Sequence, residues 1–105
     1  MCGLFKSRDP MTYAAETRPM RLYGHAASVW LEAAYWTTLE EIAGHEGVPL
    51  AQFCAILHDE MAQQGDRVGN FASMLRVTCL HYLRHHETYL AEIAARHTLP
   101  EKIAA

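Results

Sequence analysis

A change of period within Gly24–Trp36 constrains this chain more than any other feature. Up to Glu32 the pattern alternates. Ala27, Val29 and Leu31 fall on one face of an extended segment, and Ala26, Ser28 and Trp30 on the other. Beyond Glu32, Tyr35, Leu39 and Ile42 recur at three-to-four spacing, as do Trp36, Leu39 and Ala43, so a helix has begun. This is the only convincing strand in an otherwise helical pattern. A lone strand cannot satisfy its own backbone hydrogen bonds. The remaining sequence offers it no strong partner, so the expected partner is a second copy, paired antiparallel across a two-fold axis.

The other elements follow from spacing and punctuation. Met1–Pro19, punctuated by Pro10 and Pro19 and without apolar periodicity, reads as an arm, with Met11, Tyr13 and Met20 available for packing. Met20–Tyr23 reads as a short extended piece before a bend at Gly24. A first helix spans Ala33–His45, ended by Gly44 or Gly47. A second spans Pro49–Gln64, with an inward stripe of Leu50, Phe53, Cys54, Leu57 and Met61 and with Pro49 in its first turn. Gly65 and Gly69 bracket a loop, and Asn70 suits an N-cap. The third helix runs from Phe71 to about His97. Phe71, Met74, Leu75, Val77, Cys79, Leu80 and Tyr82 predict that its first half is buried, and Tyr89, Leu90 and Ile93 give its second half a stripe. Residues 98–105, with Pro100, read as a flexible tail.

At 105 residues and 50% hydrophobic content the chain is one domain with a modest core. No apolar run is long enough to cross a bilayer. Lys6, Arg8 and Asp9 interrupt any signal-like start, and Cys2 stands where myristoylation needs glycine. Cys2, Cys54 and Cys79 are odd in number and unpaired in spacing, which predicts a reduced, cytoplasmic chain. Cys54 and Cys79 read as small core residues, and Cys2 as a candidate reactive thiol. The net charge of −3 is unevenly spread. Residues 32–66 carry Glu32, Glu40, Glu41, Glu46, Asp59, Glu60 and Asp66 with no Lys or Arg, an acidic run that reads as a solvated face. A basic patch must therefore come from the N-terminal segment or the last helix.

One set of segments resembles a known family. It comprises Arg21-Leu22-Tyr23-Gly24-His25, the strand Ser28-Val29-Trp30-Leu31-Glu32, and Tyr35-Trp36 opening a helix. It continues through Leu39-Glu40-Glu41-Ile42-Ala43, Gly47-Val48-Pro49-Leu50 and Asn70-Phe71-Ala72-Ser73, and on to Leu75-Arg76-Val77. From Met20 to Leu83 the chain resembles the ribbon-helix-helix proteins, small bacterial DNA-binding dimers. The resemblance implies a mainly α fold: residues 20–97 form a ribbon-helix-helix domain with an additional C-terminal helix, its strand paired across a two-fold homodimer. It also implies a transcriptional regulator whose ribbon enters the major groove of double-stranded DNA. Ala26, Ser28 and Trp30 would face the groove, with Arg18 and Arg21 on phosphates. Val29 and Leu31, with Ala27, would hold the strand to the helices. A further phosphate would dock on the N-terminus of the second helix, at Val48, Pro49 and Leu50, through the N–H groups of Leu50 and Ala51. The chain departs from the family pattern at Trp30, often Arg, and at Ala27, often a hydroxyl residue. Pro49 replaces a common Ser or Thr. These departures, with Ala26 and the acidic centre, favour an alternative: a ribbon-helix-helix dimer that contacts another protein. A packed or interface Trp30 is the corresponding alternative for that residue.

Chemistry beyond this is sparse. His81 and His85, one helical turn apart with Cys79 nearby, are weak candidate metal ligands in want of a third, and a solvated or hydrogen-bonded face is the alternative. His25 and His45 read as turn and helix-end residues. No cofactor motif, phosphate loop, nucleophile or paired acid and base is visible, so no enzyme is expected. Glu40 and Glu41 point to different sides of their helix.

Overall fold

The computed structural model describes residues 9–22, 24–65 and 70–104, with residues 97–104 in backbone only. Cys2, the start of the expected arm, Gly69 and the side chains of the tail lie outside the described residues. A 3-10 turn at Pro10–Thr12 leads into β1 (Ala15–Leu22), which is followed by β2 (His25–Glu32). Four helices follow: α1 (Ala33–Glu46), α2 (Leu50–Gln63), α3 (Phe71–Arg84) and α4 (His86–Ala104). Among the described residues, no helix is long and apolar enough to cross a membrane.

β2 has its partner within the chain. β1 pairs with it antiparallel, from Ala15 opposite Glu32 to Leu22 opposite His25. The ribbon is thus a hairpin, which corrects the expectation that the rest of the chain offers β2 no strong partner. The two-residue connection needs a backbone outside the ordinary range, and Gly24 supplies it at φ 77°. Pro19 cannot donate to a ladder, so β1 suits a sheet edge.

Directly opposed residues share a face. Glu16 and Leu31, Arg18 and Val29, Met20 and Ala27, and Leu22 and His25 therefore form the inner side. Met20, Leu22, Val29 and Leu31 are buried there, in one cluster with Trp36, Leu39, Ile42, Phe53, Leu75 and Tyr82. α2 packs against β1, and α3 packs against β2 and α1. The second-helix stripe behaves as spacing predicts: Phe53, Cys54 and Met61 are buried and Leu50 and Leu57 are partly so, with His58 buried beside them. Burial pushes the thiols of Cys54 and Cys79 up, to about 11 and about 12.

Of the two glycines expected to end α1, Gly47 does so: it takes φ 75°, and the Val48 N–H donates to the Ala43 carbonyl at 3.1 Å, closing the last turn. Two boundaries differ from expectation. Pro49 is the N-cap of α2 rather than a first-turn residue. The long third helix is two helices, because His85 leaves helical geometry at φ −121°, ψ 33°. No Pro or Gly marks this break; beyond it Tyr89 reaches α1. Asn70 occupies the N-cap of α3 without a side-chain capping bond. The first half of this segment is not wholly buried either. Val77 is 63% exposed, Leu80 46% and Leu83 58%.

Candidate nucleic-acid interface

The hairpin's outer face is built from Thr17, Pro19 and Arg21 on β1 and Ala26, Ser28 and Trp30 on β2. All six are exposed, and Trp30, opposite Thr17, is 53% exposed. The three strand residues expected to face a ligand therefore share one solvent-facing surface, because a residue pattern of period two permits nothing else once Val29 and Leu31 are inside. Arg21 joins them and donates to the Gly24 carbonyl at 2.6 Å.

Arg18 sits on the other side of β1. Its guanidinium reaches Glu16 at 2.5 Å and Glu40 at 2.6 Å, and lies 4.9 Å over the Trp36 ring. These two carboxylates hold its charge firmly and raise its pKa. Trp36 is 1% exposed and donates its indole N–H to the Glu16 carbonyl at 2.8 Å. Arg18 and Trp36 together bind β1 to α1.

The N-terminus of α2 lacks a side-chain cap, since Pro49 offers no acceptor, and no acidic residue lies in its first turn. The Phe53 N–H donates to the Pro49 carbonyl at 3.0 Å. The N–H groups ahead of it, of Leu50 and Ala51 among them, belong to the unpaired first turn, where the helix dipole is positive. As N-cap, Pro49 lacks one of the four free N–H groups and leaves those of Leu50, Ala51 and Gln52.

Of the acidic residues of α1, Glu40 and Glu41 are exposed and Glu46 is partly buried, and each also holds a partner. Glu40 holds Arg18. Glu41 accepts from the Tyr82 hydroxyl, and Glu46 accepts from the Tyr89 hydroxyl and pairs with Arg96 at 3.0 Å. Burial and the Glu41 carboxylate push Tyr82 up to about 12, and burial with Glu46 pushes Tyr89 up as well. These contacts tie α1 to α3 and α4. They flank an open pocket of ≈ 580 Å³ lined by Phe53, Ile56, Tyr82, Tyr89 and Arg96 among others.

His81 and His85 do lie together, with ring centroids 4.5 Å apart. Among the described residues no third ligand joins them. A different trio does converge, Glu41, His45 and His86. The Glu41/His45 spacing of four was legible in the sequence, but the approach of His86 depends on the break at His85.

The comparisons with known proteins agree with this architecture. The solved structure of an uncharacterized protein from Bordetella pertussis Tohama I is similar to this chain at a TM-score of 0.75 and 38% identity, over 83% of this chain and 70% of that one. Among curated proteins, none matches. The sequence model of the ribbon-helix-helix domain matches residues 15–83, from the first residue of β1 to the penultimate residue of α3, and the chain belongs to the ribbon-helix-helix family.

Proposed function

We propose that the protein is a DNA-binding transcriptional regulator that acts as a homodimer, with the outer face of its hairpin in the major groove. The observation that carries this reading is the outer face itself. In a member of this family, Ala26, Ser28 and Trp30 stand exposed together on one face of the hairpin. Ser28 offers a hydroxyl to base edges, and Trp30 offers apolar contact with thymine methyls and one N–H donor. Arg21 and the N–H groups of Leu50 and Ala51 take phosphates. Arg18, held by two carboxylates, serves the fold instead.

The dimer forms through the second edge of β2, which pairs with no strand among the described residues. Two observations support that edge. β1 already covers the other one. α3 also packs on the β2 side and exposes Val77, Leu80 and Leu83 beside Ala34 and Thr38 of α1. A two-fold axis there would pair β2 with its copy and cover this apolar face in one step.

One observation favours contact with a protein instead. The outer face has a single basic side chain, Arg21, among Thr17, Pro19, Ala26, Ser28 and Trp30. Salt separates the two readings. Affinity for duplex DNA should fall steeply with salt, with a log–log slope of about −0.9 for each phosphate contacted. An absence of binding at low salt would overturn the DNA reading and leave the protein partner.

A further inference from the structure

We propose that Glu41, His45 and His86 form a binding site for a divalent transition-metal ion. Each residue offers one ligand atom, and these atoms lie within 4.8 Å of one another. Donors on a tetrahedral ion of zinc size stand about 3.4 Å apart, so small side-chain rotations close the set. The donors are two imidazole nitrogens and one carboxylate oxygen. That mixture suits Zn²⁺, Ni²⁺ or Co²⁺ better than Mg²⁺ or Ca²⁺, which take oxygen ligands. Three protein ligands leave coordination positions open to water or another ligand.

Glu41 is exposed, and His45 and His86 are half-buried. Glu41 and His45 are one helical turn apart on α1, and so project on one face. His86 begins α4, directly after the break at His85. Tyr82, 3% exposed, packs beside them. Its ring lies 5.1 Å from His86 in a perpendicular contact and 6.3 Å from His45. Its hydroxyl donates to one oxygen of Glu41 and leaves the other for a metal. A hydrogen bond of this kind orients a ligating carboxylate. A bound ion would clamp α1 to the elbow between α3 and α4. The site is independent of the hairpin's outer face and does not rest on the DNA reading.

The probe is zinc chloride, titrated calorimetrically into chelator-treated, tag-free protein. The expected result is saturable binding of one ion per chain, with a higher melting temperature. His86→Ala and Glu41→Gln should each weaken binding about tenfold or more, Glu41→Gln keeping an acceptor for Tyr82. A double His81→Ala/His85→Ala variant should bind as the parent does. Circular dichroism of each variant checks that it folds, and Co²⁺ absorption in the parent reports the ligand set. The proposal is overturned if the parent shows no saturable binding. It is also overturned if folded His86→Ala binds like the parent, or if loss follows the His81/His85 variant instead.

Discussion

The two faces of the hairpin are one residue apart in register and opposite in what constrains them. Inside, Val29 and Leu31 are buried against the helices, and Arg18 and Glu16 reach Trp36 and Glu40. Outside, Ser28 and Trp30 are exposed. The two tryptophans show the contrast within one chain: Trp36 is 1% exposed and Trp30 53%. Stability accounts for the inner residues. The exposed indole of Trp30 is the side chain on which the proposed DNA contact rests.

The largest effect should come from the inner side. Trp36→Ala removes a buried aromatic, the indole bond to the Glu16 carbonyl and the surface on which Arg18 lies. Denaturant unfolding should show a loss of about 3–5 kcal/mol. A loss below about 1 kcal/mol would mean that the two faces do not differ as described.

Much of this contrast was legible beforehand. β2 was readable because Val29 and Leu31 alternate with Ser28 and Trp30. β1 was not, because Glu16, Arg18 and Pro19 look unlike a strand. The inward positions of Glu16 and Arg18 are stabilised by ion pairs and by Trp36, and that support comes from α1, 20 or so residues away in sequence. The break at His85 carries no Gly or Pro. The approach of His86 to Glu41 and His45 follows that break, since His86 opens α4. Local spacing found His81 and His85 instead, since it sees only one helix at a time.

The next effect belongs to the outer face. Trp30→Ala should change stability by no more than about 0.5 kcal/mol, as expected of an exposed position. In fluorescence anisotropy with duplex DNA the same variant should lose about 1–3 kcal/mol of binding. Trp30→Arg should raise general affinity and steepen the salt slope, since each chain gains a phosphate-seeking charge. If Trp30→Ala unfolds as readily as Trp36→Ala, the outer face is structural and the contrast fails.

The smallest effect concerns the junction of ribbon and helix. Arg76 on α3 pairs with Glu32 at 3.0 Å. A backbone hydrogen bond and the Arg76 guanidinium hold the Glu32 carboxyl below its ordinary value of 4.5. The folded value is depressed, so the contribution is present above the ordinary carboxylate range and fades as pH falls through the folded value. Both side chains are about a third exposed, so the pair is worth less than about 1 kcal/mol. Arg76→Ala should lose more at neutral pH than in strong acid, where only its contact with the Tyr35 ring remains to be lost, by urea melts at the two pH values.

A proton–nitrogen correlation NMR titration with duplex DNA tests the central claim most directly. The account predicts that the Trp30 indole and the amides of Ala26, Ser28, Leu50 and Ala51 shift together, while those of α4 stay in place. Shifts confined to α3 and α4, with the outer face of the hairpin unmoved, would contradict it.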